Sequence, residues 1–137
     1  MIYAVIDTNV IISTLLNKNS NPGKVVVAAL TGKITPILHN DILMEYKKVC
    51  SRKKFNFPED IVTRLLNRLV ARAYFLDRTD SDEIVPDAKD VVFYEVTLTA
   101  KEVFDDAYLV TGNGKRFPKK TFVVTPAEMV RILEKEE

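Results

Sequence analysis

Short apolar runs alternate with longer stretches in which apolar residues recur at helical spacing. Runs of β-favouring residues predict strands that are covered on both faces, and they lie at 2–6, 34–38, 74–76, 108–111 and 121–124. Helical spacing and end signals predict helices at 10–16, 21–32, 40–50, 87–100 and 127–135, with a further helix that begins at Pro58. This alternation predicts right-handed crossovers and a parallel sheet of about five strands between helices.

Several residues predict where these elements begin or end. Asn21 and Asn40 are the predicted N-caps of their helices, and Gly32 is the predicted end of the first of these. Pro36 lacks a backbone donor, which favours an edge or irregular position for the second strand. The acidic segment 77–86 contains proline and is predicted to be a loop.

Composition then limits the class of protein. The chain has 137 residues, of which 47% are hydrophobic and 28% charged, and this predicts one domain over residues 1–137 with one core. Cys50 is the only cysteine, which excludes a disulfide framework and a cysteine-based zinc site. The first apolar run is interrupted by Asp7 and resembles neither a signal peptide nor a membrane span. We therefore expect a cytoplasmic protein without a membrane partner.

Total charge does not indicate a partner, because 20 Lys+Arg stand against 19 Asp+Glu. Basic residues are nevertheless grouped beside aromatic residues in two segments. They are Arg52, Lys53 and Lys54, near Phe55 and Phe57, and Lys115 and Arg116, next to Phe117. Such segments can contact phosphates and stack on unpaired bases, or they can be ordinary solvated loops. The sequence leaves both readings open.

Two acids stand out by position. Asp7 directly follows the first predicted strand, and ligands of parallel α/β sheets bind beyond the carboxyl ends of the strands. An Asp there can also be a simple N-cap. Glu45 falls on the apolar stripe of its helix, where a carboxylate is costly unless it is paired or bound to a metal. The alternative for Glu45 is a side chain that bends out to solvent.

Two more acids complete a candidate set. Asp90 lies in the first turn of its helix on the side of Phe93, and Asp106 comes just before the fourth strand. If Asp7, Glu45, Asp90 and Asp106 converge, their charges repel unless a cation neutralises them. Oxygen ligands without Cys or a usable His select Mg²⁺ or Mn²⁺ over zinc. His39, the lone histidine, is expected to be a surface or strand-end residue.

Four motifs in this order carry a family resemblance. They are Asp-Thr-Asn-Val at 7–10, Leu-Met-Glu-Tyr-Lys-Lys-Val at 43–49, Asp-Ala-Lys-Asp-Val-Val-Phe at 87–93 and Asp-Ala-Tyr-Leu-Val-Thr-Gly-Asn at 106–113. Together they resemble a PIN-domain protein, and in particular the PIN-family toxins of toxin–antitoxin systems. The resemblance covers essentially the whole chain. It implies a three-layer α/β/α domain and a metal-dependent endoribonuclease that leaves a 5′-phosphate and a 3′-hydroxyl.

The resemblance also assigns roles to individual residues. Asp7, Glu45 and Asp90 occupy the three acidic positions of the family, and Asp106 matches an additional acid; these residues are the expected catalytic groups and ligands of one or two Mg²⁺ or Mn²⁺ ions. Asn9 and Thr111 are expected to orient the acids. Asn113 stands where many relatives have another acid, so it can bind a metal water or phosphate without contributing charge.

The partners and alternatives follow from the same motifs. The resemblance implies an RNA substrate and, for a toxin, an antitoxin protein; whether an antitoxin exists and whether the chain forms a homodimer stay open. A phosphorelay receiver and a dehalogenase-type phosphatase both require acids that are missing next to Asp7. The segment 112–115 lacks the spacing of a P-loop. The remaining rival is a PIN-like module that binds RNA or protein with little or no cleavage.

Overall fold

Five parallel strands form the central sheet of the computed structural model, which describes residues 1–136. The strands are β1 (Ile2–Ile6), β2 (Ile34–Leu38), β3 (Tyr74–Phe75), β4 (Ala107–Val110) and β5 (Val123–Val124). They are arranged in the order β3-β2-β1-β4-β5, and each neighbouring pair is parallel. The predicted parallel sheet is confirmed.

Helices connect the strands and cover the sheet. They are α1 (Thr8–Leu16), α2 (Asn21–Thr31), α3 (Asn40–Cys50), α4 (Glu59–Arg72), α5 (Val91–Val103) and α6 (Pro126–Glu136). Helix α2 packs on β2 and contacts α1 and α6, whereas α5 packs on β1 and β4 and contacts α3. The result is the three-layer α/β/α arrangement that the alternation and the resemblance predict. Within residues 1–136, each helix is too short or too polar to pass through a lipid bilayer.

The N-caps of α2 and α3 each lie one residue before the predicted ones. Ser20, rather than Asn21, caps α2, because its hydroxyl accepts a hydrogen bond from the Gly23 N–H at 3.2 Å. His39, rather than Asn40, caps α3, because its Nδ1 accepts from the Asp41 N–H at 2.9 Å. His39 is therefore a helix cap at the end of β2. Gly32 ends α2 in the left-handed conformation with φ 90°, as predicted.

Several element boundaries also differ. Helix α1 begins two residues before its predicted start, and strands β3 and β5 contain only two residues each. Short 3₁₀ turns at Ala88–Asp90 and Gly114–Arg116 were not predicted. Strand β2 is internal, yet β3 pairs only with Ile37 and Leu38, so at Pro36 it has β1 as its one neighbour. The missing donor of Pro36 is tolerated for this reason.

The central strand determines where the chemistry lies. Strand β1 lies between β2 and β4, and its residues Ala4, Val5 and Ile6 are at most 2% exposed. An apolar strand covered on both faces is held by burial and by both ladders of hydrogen bonds. The residue after β1 therefore emerges at the middle of the carboxyl edge of the sheet, and that residue is Asp7.

Candidate metal and phosphate site

Asp7 is held rigidly at the carboxyl end of β1. Its N–H donates to the carbonyl of Val110 at 2.9 Å, which continues the pairing of β1 with β4. Its residue exposure is 1%, and Thr111 Oγ1 donates to its Oδ2 at 2.7 Å. Asp7 occupies the N-cap position of α1, but its side chain makes no capping hydrogen bond there. The carboxylate is therefore directed to the site and not used by the helix.

The environment of Asp7 disfavours its charge. Burial raises the pKa of its carboxyl, and the nearby charge of Asp90 raises it further. The hydrogen bond from Thr111 and the charge of Arg116 act in the opposite direction without cancelling the effect of burial. Asp7 is thus a carboxylate that gains from a nearby cation.

Asp90 is paired with Arg116. It ends the 3₁₀ turn before α5 and is 1% exposed. Arg116 Nε donates to Asp90 Oδ2 at 2.8 Å, and Nη2 donates to Oδ1 at 2.5 Å, so the guanidinium fork binds both oxygens. Nη1 of Arg116 is 4.0 Å from Asp7 Oδ2. Burial lowers the pKa of Arg116, but the hydrogen bond to Asp90 and the charges of Asp7 and Asp90 outweigh it and raise that pKa.

Glu45 comes from α3 and is positioned by its neighbour. The Tyr46 hydroxyl is buried and donates to the carbonyl of Ile6 at 2.5 Å, which fastens α3 to the end of β1. Burial, and to a smaller extent the charge of Asp7, holds the pKa of Tyr46 well above its usual range, so the Tyr46 hydroxyl keeps its proton and stays a donor. Glu45 is half-buried and takes part in none of the hydrogen bonds or ion pairs found within residues 1–136. Its carboxylate is free for a ligand.

These groups surround one small pocket of about 120 Å³, which we call the acidic pocket. It is lined by Asp7, Thr8, Asn9, Glu45, Val49, Arg52, Lys89, Asp90 and Arg116. Thr8 is 7% exposed, and its Oγ1 is the one buried side-chain oxygen or nitrogen in the described chain that has no hydrogen-bond partner. An unsatisfied buried hydroxyl is costly unless a ligand or water completes it.

Asp106 does not belong to this pocket. Its carbonyl accepts from the Tyr3 N–H at 2.8 Å, at the beginning of β1 and β4. Because the strands are parallel, Asp106 lies at the amino edge of the sheet, level with Ile2 and therefore five residues of strand, or roughly 16 Å, from Asp7. It is exposed there. The prediction that four acids converge is therefore wrong for Asp106, since a residue before a parallel strand lies opposite to one that follows its neighbour.

The loop after β4 completes the wall of the site. Thr111 Oγ1 both donates to Asp7 and accepts from the Asn113 N–H at 3.1 Å. Asn9 Oδ1 accepts from the Gly112 N–H at 3.1 Å, which ties this loop to the start of α1. Asn113 is exposed and does not line the acidic pocket. Thr111 thus contacts an acid directly, whereas Asn9 fixes the loop.

The predicted basic residues separate into two groups. Arg52 and Arg116 line the acidic pocket, as does Lys89. Lys53, Lys54 and Lys115 are exposed outside it. Phe55 and Phe57 stack on each other with ring centroids 5.3 Å apart, and Lys54 Nζ lies 5.1 Å from the Phe55 ring. Basic groups therefore meet the acids at the pocket and continue away from it on the surface.

The oxygen atoms that line the pocket fit a hard divalent cation as ligands. Three carboxylates and a free hydroxyl are oxygen ligands of the kind that Mg²⁺ and Mn²⁺ prefer. In the part of the chain that the structure describes, no three acidic, histidine or cysteine side chains already stand in a metal-binding arrangement. Both oxygens of Asp90 accept hydrogen bonds from Arg116 in this arrangement. Asp7, Glu45 and Asp90 are the residues that would hold the ion.

Sequence reasoning missed three features of this site. It assigned no role in the site to Thr8 or Tyr46, and it considered Arg116 only as a possible RNA contact. Arg116 carried a usable signal, because it follows β4 and therefore lies at the same edge as Asp7. The free Thr8 hydroxyl and the Tyr46 contact depend on packing between elements and have no signature in the sequence.

Comparison with known families agrees with the fold. The family model described as "PIN domain" matches residues 3–115. This range includes Asp7, Glu45 and Asp90 and ends one residue before Arg116. No curated protein and no solved structure matches the chain.

Proposed function

Because the chain belongs to the PIN-domain family, whose members are generally nucleases, we propose that it hydrolyses phosphodiester bonds of RNA with the help of Mg²⁺ or Mn²⁺. One observation carries the proposal. Asp7, Glu45 and Asp90 come from three separate elements and line a single pocket at the carboxyl edge of a parallel sheet. Two of these acids are almost completely buried, where a carboxylate is costly unless a cation or hydrogen bonds compensate its charge.

Each side chain has a part in the proposed reaction. Asp7, Glu45 and Asp90 would hold Mg²⁺ or Mn²⁺, which would supply a water of lowered pKa and stabilise charge on the phosphate. The Thr111 hydroxyl keeps Asp7 in place. The free Thr8 hydroxyl is a donor for a phosphate oxygen or for water. In-line attack yields a 5′-phosphate and a 3′-hydroxyl without a catalytic histidine.

Basic residues at the acidic pocket favour a polyanionic substrate. Arg52 and Lys89 reach the pocket that holds the acids, so a phosphate backbone meets positive charge at the place of cleavage. The stacked pair Phe55 and Phe57 lies beside Lys54 and offers a surface for unpaired bases. RNA with single-stranded regions is therefore the expected substrate.

A cleavage assay tests the proposal. The purified full chain is incubated with single-stranded RNA, structured RNA or DNA in Mn²⁺, Mg²⁺ or EDTA. We expect cleavage of RNA that EDTA abolishes, and a loss of about 100-fold or more in Asp7→Asn and Asp90→Asn, because each loses a charge that the ion needs.

Asp106→Asn is the matched control. It makes the same chemical change at the opposite edge of the sheet, so we expect it to retain cleavage. If wild type and the two pocket variants cut equally, or if EDTA has no effect, the proposal is wrong. If Asp106→Asn is as damaging as Asp90→Asn while its fold is intact, the assignment of the acids is wrong.

We further propose that the nuclease acts as the toxin of a toxin–antitoxin pair, on the basis of the motif resemblance. Induced expression in bacteria is then expected to arrest growth, and the Asp90→Asn chain at equal abundance is expected not to. Growth curves with quantified protein levels check this. Normal growth of cells that contain soluble, active wild type would contradict the toxin role and leave the nuclease proposal intact.

Two observations favour a second candidate, a PIN-like module that binds RNA or protein with weak or no cleavage. Asn113 replaces an acid of many relatives, and Arg116 occupies both oxygens of Asp90. Such a module retains RNA in EDTA and does not cut it when Mn²⁺ is restored. Binding and cleavage measured in the same titration separate the two candidates.

A further inference from the structure

Arg116 and the two acids that it contacts differ in their access to water. The side chains of Asp7 and Asp90 are 1% and 2% exposed, whereas the side chain of Arg116 is 29% exposed. The acids are thus confined to the interior wall of the acidic pocket. The guanidinium reaches both the pocket and the solvent.

The elements that carry these groups differ in the same way. Asp7 directly follows the central strand, and Asp90 is the N-cap of α5, which packs on β1 and β4. Arg116 ends the 3₁₀ turn Gly114–Arg116, which follows the exposed Asn113, and a Cβ at Gly114 would contact nothing within 4 Å. The buried Phe117 anchors the chain after the turn. Release of Arg116 therefore needs only a change of its side chain, whereas the acids cannot move without disturbing the core.

The geometry makes the arginine and a metal ion competitors for Asp90. Arg116 binds both oxygens of Asp90 with its guanidinium fork, so an ion at either oxygen must displace one of these hydrogen bonds or share that oxygen with the guanidinium. The guanidinium also supplies positive charge near Asp7, in the pocket where a divalent cation would supply it. Two cations at these carboxylates would repel each other in a poorly solvated space.

We propose that Arg116 is the built-in counter-ion of the acidic pocket, so that a divalent cation binds the acids only as Arg116 releases Asp90. The proposal rests on the proposed function in one respect, because it takes Asp7, Glu45 and Asp90 as the residues that hold the metal. The match to the family model ends at residue 115 and does not include Arg116, so the role of Arg116 is inferred from its contacts alone. Removal of the arginine therefore strengthens metal binding, because the ion no longer has to displace the guanidinium from Asp90.

Isothermal titration calorimetry with Mn²⁺ tests this on the full chain. We expect Arg116→Gln to bind Mn²⁺ about tenfold or more tightly than wild type, which is within the usual range of coupling between two ligands. Lys115→Gln is the matched control, since it removes the same charge from the same turn at an exposed residue outside the pocket. We expect its affinity to stay within about twofold of wild type, because exposed charges are screened.

A second measurement uses the unsubstituted protein and does not depend on a variant that folds. Arginine side-chain NMR with diamagnetic Mg²⁺ follows the Nε–H of Arg116, assigned with Arg116→Lys. We expect this signal to move to the position of solvated arginines as Mg²⁺ saturates the site. The signal of Arg78, which is bound to Glu95 elsewhere, is expected to stay unchanged.

The outcomes distinguish this proposal from the proposed function. Equal or weaker Mn²⁺ binding by Arg116→Gln, an equal gain in Lys115→Gln, an unchanged Arg116 signal in saturating Mg²⁺, or no metal binding by any of the chains would overturn it. If the metal displaces Arg116 as expected and RNA is still not cleaved, the nuclease proposal fails and the counter-ion role stands.

Discussion

Arg78 and Arg116 each bridge two carboxylates, and the comparison of the two clusters separates a structural contact from a site. Arg78 binds Glu95 of α5, with Nε to Oε1 at 2.8 Å, and Asp41 of α3, with Nη1 to Oδ2 at 3.0 Å. Asp41 is 49% exposed in its side chain, so water can solvate it if the arginine leaves. Arg116 instead faces Asp7 and Asp90, which water hardly reaches.

The difference teaches which ion pairs indicate function. The Arg78 cluster fastens the segment after β3 to two helices, and the Thr79 N–H adds a hydrogen bond to the Glu95 carbonyl at 3.2 Å. Nothing in that arrangement requires a ligand. In the Arg116 cluster the acids are fixed and buried while the cation is accessible, and a free hydroxyl lies in the same pocket. Buried acids with a replaceable cation are the arrangement expected of a site.

The largest difference is expected when each arginine is removed. Without metal, Arg116→Gln should lower the free energy of unfolding by about 2 kcal/mol, because two buried carboxylates lose their counter-ion. Arg78→Gln should cost less, about 1 kcal/mol, because Asp41 is 49% exposed and only Glu95, at 12%, would be left as a buried carboxylate without its counter-ion. Chemical denaturation in EDTA measures both values.

Addition of Mn²⁺ sharpens this result. The ion should restore most of the stability of Arg116→Gln and leave the loss in Arg78→Gln unchanged, since binding to the folded state alone stabilises it. If Arg116→Gln and Arg78→Gln lost equal stability in EDTA, or recovered equal stability in Mn²⁺, the difference drawn between the two clusters would be wrong.

A smaller effect is expected from the acids themselves. Because burial raises the pKa of Asp7 above its ordinary value of 3.8, the folded state binds its proton more tightly than the unfolded state. Stability then falls as pH rises from 3.8 through the folded pKa, and the loss is complete above the folded pKa. Asp7→Asn lacks the loss, so in EDTA its melting temperature should exceed that of wild type by a few degrees at neutral pH.

The comparison with Asp41→Asn checks the reason. Asp41 is exposed and bound to Arg78, so its replacement should lower stability by less than about 1 kcal/mol or leave it unchanged. The gain in Asp7→Asn should shrink below the ordinary pKa of aspartate, where both states are protonated. Thermal melts of Asp7→Asn and wild type across this pH range measure the gain in melting temperature. A gain that is independent of pH would refute the role of the buried charge of Asp7.

Much of the fold was predictable because its signals are local. Five apolar runs separated by helical patterns predict parallel strands with crossovers, and β1 and β2 have the predicted bounds. Local signals fail where two neighbouring residues can serve as a cap, as at Ser20 and Asn21. They also fail for the two-residue strands, whose extent is set by pairing with a neighbour and not by their own sequence.

The positions of three acids that line the acidic pocket were predictable from the sequence. Asp7, Glu45 and Asp90 could be found because strand ends and an apolar helix stripe fix their directions. Asp106 was misplaced because the resemblance was followed against the direction of the strand. The ion pair of Asp90 with Arg116 joins residues 26 positions apart through an irregular turn, and no periodic pattern encodes that contact.

The hydrogen bond from Thr111 to Asp7 joins residues 104 positions apart, and it has a consequence during synthesis. The first acid leaves the ribosome early, but β4 and the loop that orients it are made only near the end of the chain. Contacts between such distant segments form late, because the intervening chain must first be ordered. A growing chain therefore has no assembled acidic pocket until translation is almost complete, so any activity of the pocket begins only when the chain is nearly finished.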